Sequence, residues 1–253
     1  YDLAIANNNQ AVARLLQPYP SDKHLEEGAY ETFLTELRAH TKDSTSWSDA
    51  VMKWAPSGFT PLMMACRAPA EDEEVALALM AFILGRPGSK AEINRQSEGN
   101  EGMCSALTMA AEEGHLKRVR LLLSKDADVN ITDQHGRTPL MYACQSGFAD
   151  VVKVLLEHKA DPMITRVNPE RPDKKDGRTV LMYAGMGGSA ECIKHLLNHG
   201  TNEYAKAKLR DALNAKKESA LAFAARNGHT EACKLLLEAG ISIDHEIEED
   251  YWT

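Results

Sequence analysis

Three side chains at 192–199 have the types and spacing of a soft metal site. Cys192, His195 and His199 fall at i, i+3 and i+7, which places a thiol and two imidazoles near one helical face. The surrounding pattern assigns them otherwise. Cys192 sits where an apolar residue recurs in the other copies of a repeat described below, and a free cysteine packs as a small hydrophobe. His199 sits at a helix C-terminus, where a cation is favoured by the dipole. The chain has five cysteines, an odd number, in no Cys-x-x-Cys pair. Cys66, Cys144 and Cys233 also fall on apolar positions. This usage points to free thiols in a reducing compartment, cytoplasmic or nuclear. No nucleophile elbow (G-x-S-x-G), phosphate loop (G-x-x-x-x-G-K-[ST]) or H-E-x-x-H pair occurs, and these are the motifs that would carry hydrolytic, nucleotide or zinc chemistry. The expectation is therefore no catalytic residue, no metal and no cofactor. The chain is not expected to be an enzyme.

The elements behind these residues come from a tandem pattern. The segment SALTMAAEEGHLKRVRLLLSKDADVN at 105–130 is followed by TPLMYACQSGFADVVKVLLEHKADPM at 138–163. Leu107 recurs as Leu140, Ala110 as Ala143, Gly114 as Gly147 and Leu122 as Leu155, each 33 residues later. Within a copy, Leu140, Ala143 and Cys144 share one face of a short helix, which Gly147 ends. Val151, Val152, Leu155 and Leu156 form a second apolar helical set. Thr138 before Pro139 reads as an N-cap with proline at the first helical position. A unit of helix, tight turn, helix and extended link cannot bury its apolar face alone, so neighbours must stack on it.

The period and the pattern T-P-L-x-x-A…G…V-V-x-x-L-L-x-x-x-A-D resemble the ankyrin repeat family. The resemblance implies an all-α solenoid of helix-turn-helix units joined by hairpin-like links, here with helical insertions. Residues 1–253 read as one such domain. Residues 1–17 align as a partial first repeat lacking its opening residues, so the chain reads as a fragment of something longer. Residues 18–54 are a helical insertion that caps the solenoid or binds a partner. Repeats follow at 55–99, 100–132, 133–173, 174–213 and 214–246, and an acidic tail at 247–253.

The register leaves extra residues between copies. An acidic run at Glu71–Glu74 replaces one turn and precedes a helix at Val75–Leu84, where the dipole favours it. The loop 166–173 lengthens one link at its tip. The stretch 203–213 adds a helical turn or two. The segment Ala91–Asn94 echoes the link Ala127–Asn130. The histidine that the family often carries after T-P-L is Thr108, Met141, Met182, Met63 or Ala222 here, which implies the loss of a bond across repeats. The link glycine is replaced by Met103 and Lys217 in two repeats, which implies looser or differently turned links. Tyr142, Tyr183 and Phe223 share one register and read as packing between first helices.

The resemblance also implies where a partner binds. Family members use the link tips and the exposed side of the first helices as a concave groove for a protein or peptide. By register this surface holds Glu112, Glu113, Gln134, His135, Arg137, Gln145, Lys175, Arg178, Met186, Lys216, Glu218, Arg226 and Asn227. Residues 165–217 carry 11 basic and 6 acidic side chains, while 1–103 carry 9 basic and 15 acidic. Arginine binds carboxylates bidentately, so the Arg137–Arg178 part of the groove is expected to take an acidic or phosphorylated segment. Glu112 and Glu113 are expected to meet a basic one. An intramolecular role, as the regulatory or targeting domain of a larger enzyme or channel, would use the same groove. The link Asp128-Val129-Asn130 resembles the family's asparagine hydroxylation site, which makes Asn130 a candidate for modification; it is also simply the family's link sequence.

The formal net charge of −8 argues against general nucleic-acid binding, whose footprint is basic. The longest apolar run, Val75–Leu84, is too short to span a bilayer, so no membrane insertion is expected.

Overall fold

The computed structural model describes residues 59–68, 70, 73–85, 89–97, 102–167, 176–199 and 203–241. The partial repeat at 1–17, the insertion at 18–54, the tail at 247–253 and Lys175 lie outside the described residues. Among those described there are twelve helices and one isolated antiparallel bridge, between Gln96 and Ser105. The fold is an all-α ankyrin-type solenoid.

In chain order the helices are α1 Pro61–Arg67, α2 Glu73–Leu84, α3 Ser89–Ile93, α4 Ala106–Glu112, α5 Leu116–Leu123 and α6 Pro139–Ser146. They continue with α7 Ala149–Glu157, α8 Val180–Gly187, α9 Ala190–Asn198, α10 Glu203–Arg210, α11 Ala220–Arg226 and α12 Thr230–Glu238. The first helices α1, α4, α6, α8 and α11 pack in one row, each against the next, and the second helices α2, α5, α7, α9 and α12 in another. The core lies between the rows. Leu62, Leu107, Leu140 and Leu181 of the first helices, with Leu122, Leu155 and Leu196 of the second, are all essentially buried. Each such leucine contributes about 1.5–3 kcal/mol relative to exposure.

Four of the first helices begin on a hydroxyl cap, whereas the Thr179 hydroxyl before α8 has no hydrogen-bond partner among the described residues. The side chains of Thr60, Ser105, Thr138 and Ser219 accept from the backbone N–H three residues on. The methionines in the family's histidine slot turn back on the same cap. Met63 Sδ accepts from Thr60 N–H at 3.3 Å and Met182 Sδ from Thr179 N–H at 3.5 Å. These N–H groups are thus satisfied within their own repeat.

Turn glycines are demanded by space as well as by φ. Gly114 and Gly188 have φ of +75° and +72°, and a Cβ on either would stand 2.4 Å from the ring of Phe148 or His229. The first residue after one turn glycine thus covers the turn glycine of the preceding repeat.

Three local expectations change. The links at Met103 and Lys217 are not turned differently: their φ values of 52° and 58° keep the left-handed conformation of Gly136 and Gly177, at 71° and 65°. The neighbouring hairpin bonds impose that conformation on a residue with a side chain. The Ala91–Asn94 segment is not a plain link, because its residues up to Ile93 belong to α3, Ser89–Ile93, with Ile93 buried. Cys66, Cys104, Cys144 and Cys192 are buried free thiols, whereas Cys233 is only half-buried.

Candidate functional site

The hairpin links position most of the candidate site, and each is held by one backbone pairing repeated along the array. Ser97 N–H bonds Cys104 O at 2.9 Å, Asp133 N–H bonds Arg137 O at 2.9 Å, Arg166 N–H bonds Arg178 O at 2.8 Å, and Asn214 N–H bonds Glu218 O at 3.1 Å. Neighbouring hairpins join through Gln134 N–H to Gly102 O and Ala215 N–H to Asp176 O, both at 3.0 Å.

The first member of each pair decides what the link can hold. The Asp133 side chain is buried. Its Oδ1 accepts from the N–H of His135 at 2.8 Å and of Arg137 at 2.7 Å. Its Oδ2 accepts from Arg137 Nε and from the Tyr142 hydroxyl, both at 2.8 Å. Asn214 does the corresponding work for Lys216 and Glu218, whose N–H groups its Oδ1 accepts at 2.9 Å. Neither residue was singled out by register, although an Asp or Asn opening a four-residue turn to Gly or Lys is a readable signal.

The arginines of the groove are therefore partly committed. Arg137 pairs with Asp133 and lies 4.3 Å from the Tyr142 ring centre. Arg178 faces Asp176 at 3.3 Å and lies over Phe223 at 5.2 Å. Arg226 pairs with Glu218 and lies 5.4 Å from the same Phe223 ring. Glu218 also accepts from Asn214 Nδ2 at 2.8 Å. Burial opposes ionisation of Glu218, but the Arg226 and Asn214 hydrogen bonds outweigh it and lower its pKa. Arg137, Arg178 and Arg226 thus form ion pairs set against aromatic rings.

The remaining positions differ in exposure. Glu112 and Glu113 end α4, Gln145 lies near the end of α6, Lys216 sits on a hairpin tip and Asn227 follows α11; all are exposed. Burial, with repulsion from Glu113, raises the Glu112 pKa, and Arg137 and Arg67 oppose that rise. Gln134 and His135 are half-buried on their tip, with side chains 3.2 Å apart. Met186 offers its carbonyl to Asn227 Nδ2 at 3.0 Å and lies 2.9 Å from His229 Nε2.

Asn130 belongs to a separate ladder on the link stems. Asn94 Oδ1 accepts from Asp128 N–H and Asn130 Oδ1 from Asp161 N–H, both at 2.8 Å. The amide of Asn130 thus ties one repeat to the next.

Sequence register also passed over a buried cation. Arg118 occupies the slot of Val151 and Cys192 yet is fully buried. Its Nη1 donates to Cys66 O at 3.3 Å and to Ala68 O, and its Nη2 lies 3.4 Å from Glu73 Oε2. Glu73, in the first turn of α2, therefore meets a guanidinium as well as the helix dipole.

Cys192, His195 and His199 do not gather into a ligand set. No group of three or more metal-ligating side chains occurs among the described residues. The Cys192 thiol is lowered in pKa chiefly by a hydrogen bond with Cys144, whose own thiol burial pushes up. No described helix is long and apolar enough to cross a membrane.

Comparison with known proteins agrees with this geometry. The family model for ankyrin repeats in three copies matches residues 62–166 and again 163–247. The ankyrin repeat and KH domain-containing protein mask-1 of Caenorhabditis elegans is 33% identical over 108 residues, which is 43% of this chain and 4% of that protein. The mouse 2-5A-dependent ribonuclease is 44% identical over 69 residues, 27% of this chain and 9% of the ribonuclease. The neurogenic locus notch homolog protein 1 of Xenopus tropicalis is 32% identical over 121 residues, 44% of this chain and 5% of that protein. The chain thus corresponds to a small part of much longer relatives. Ankyrin repeats are in general protein–protein interaction modules. The repeated helix pairs, the hairpin links and the matched stretch place this chain in the ankyrin repeat family.

Proposed function

We propose that this chain is a non-catalytic recognition module. Its row of first helices and hairpin tips receives an extended segment of a partner protein. The observation that supports this reading is the exposure of Glu112 and Glu113, of Gln145 and Ser146, and of Arg226 and Asn227 at the same end of their first helices, with Lys216 exposed on a hairpin tip. They lie beside a core that leaves the same row of helices rigidly placed. The partner segment is acidic where it faces Arg178 and Lys216, and basic where it faces Glu112 and Glu113. Electrostatic complementarity of this kind sets orientation and on-rate. A partner of the same chemistry within a longer chain would engage the same groove, and the small share of each relative that this chain covers favours keeping that arrangement in view.

Charge reversal at Arg137 would dismantle the Asp133 hairpin and confound the test. The discriminating experiment uses exposed positions instead. A partner captured from extract of the source organism should be lost with Glu112→Lys/Glu113→Lys and with Lys216→Glu, while circular dichroism stays unchanged. Retention of the partner by both variants would refute the groove.

A further inference from the structure

One slot in two adjacent repeats holds a tyrosine, and the two are treated in opposite ways. In α6, the Tyr142 hydroxyl donates to Asp133 Oδ2 at 2.8 Å. In α8, the equivalent residue is Tyr183. The hairpin position 33 residues after Asp133 is Arg166, and it makes the same backbone pairing, to Arg178. The acceptor has been exchanged for a cation.

The consequence is an orphan. Tyr183 is 2% exposed, and its hydroxyl has no hydrogen-bond partner among the described residues. The Nε atoms of Arg166 and Arg178 are likewise buried without an aligned hydrogen bond. Both guanidiniums share the single carboxylate of Asp176, at 2.7 Å from Arg166 Nη1 and 3.3 Å from Arg178 Nε. Arg137 also bears on the Tyr183 phenol: with Arg166 and Arg178 it counters the rise in pKa that burial causes there. Two guanidiniums sharing one carboxylate, with Arg166 at the hairpin position from which Asp133 serves the preceding tyrosine, leave donors in excess of acceptors here. Buried polar groups left in this state are uncommon and call for an explanation. The Arg166 and Arg178 side chains are 24% and 27% exposed, so a ligand can reach them.

The missing partner is defined by chemistry. It is anionic, accepts several hydrogen bonds and fits the planar fork of a guanidinium, which describes a carboxylate. We propose that Arg166, Arg178 and Tyr183 form a seat for one carboxylate of an acidic side chain in a bound peptide, supplying the acceptor that Asp133 supplies one repeat earlier. The seat deepens the groove reading and rests on it.

The test uses the full chain labelled with 13C in its tyrosine rings, with the Tyr183 signal identified by its absence in Tyr183→Phe. The probe is an acetylated triglutamate peptide, with triglutamine as control at matched ionic strength. The seat predicts a saturable shift of the Tyr183 signal with triglutamate, at least tenfold weaker with triglutamine. It also predicts loss of that shift in Arg166→Asp, which restores the internal acceptor. An unmoved signal, equal response to both peptides, or a shift that survives Arg166→Asp would overturn it. Tighter binding of a phosphoserine tripeptide would overturn the choice of carboxylate. Partner capture that depends on Glu112 and Lys216, with Tyr183 unmoved, would remove the seat and leave the groove. A Tyr183 shift without partner capture would support the seat and remove the groove.

Discussion

Asp133 and Arg166 occupy one hairpin position in successive repeats, and the difference between them sets opposite costs for the tyrosine each faces. Removing the Tyr142 hydroxyl takes a donor from a buried carboxylate. Tyr142→Phe should therefore lower stability by about 1.5–3 kcal/mol, the range for hydrogen bonds to charged groups. Removing the Tyr183 hydroxyl relieves an unsatisfied donor, so Tyr183→Phe should be neutral or stabilising. Urea midpoints at constant m-value measure both, and equal losses would contradict the assignment. Lys217 supplies a second residue-scale prediction. It holds φ 58°, a conformation that costs a side chain about 1 kcal/mol. Lys217→Gly should raise stability by about 1 kcal/mol despite adding freedom to the unfolded chain. The positive-φ slot was legible at Met103 and Lys217 because the pattern places glycine there in the sister repeats. What the residue types hid is that the fold enforces the turn even without glycine. The orphaned Tyr183 was not legible at all, because it depends on which residue faces it across an enlarged link.

At the scale of elements, Arg118 joins the ends of α1 and α2 across the break that the acidic run introduces. The α1 carbonyls of Cys66 and Ala68, left open where the turn is replaced, receive its guanidinium. Arg118→Leu should cost roughly 2–4 kcal/mol, since it strands those carbonyls and the Glu73 carboxylate. Faster hydrogen exchange confined to α1 and α2 would mark the lesion as local. His115, the residue before α5, gives this joint a pH response. Burial, and then the Arg118 charge, lower its pKa, while Glu73, Glu113 and the Ala68 backbone oppose that fall. A lowered pKa means the unfolded chain binds the proton more readily. Stability from this group is then present above the ordinary histidine pKa of about 6.5 and lost as pH falls below it. Replacing His115 with Asn should flatten that part of the stability–pH curve, and an unchanged slope would contradict the assignment. Periodicity made the paired helices readable, since apolar spacing and capping hydroxyls report local geometry. The helix α3 and the Arg118 joint escaped it. One is a short coil-up inside a link, and the other is a charge standing in an apolar slot whose partners lie about 50 residues away.

At the scale of the whole molecule, each described first or second helix packs on its counterpart in the next repeat, so the array places its binding edge by accumulation of local contacts. The Asn94 and Asn130 ladder is part of that accumulation. Asn130→Ala should cost about 1 kcal/mol by freeing the Asp161 N–H. The central claim is that recognition occurs along the first-helix and hairpin edge and not on the opposite row of second helices. Site-specific photocrosslinking separates the two. A benzoylphenylalanine at Gln145 or Asn227, both exposed on the proposed edge, should trap a partner from extract of the source organism. The same group at the exposed Lys153 or Glu157 of α7 should trap none. Crosslinks concentrated at Lys153 and Glu157, with none at Gln145 and Asn227, would contradict the account.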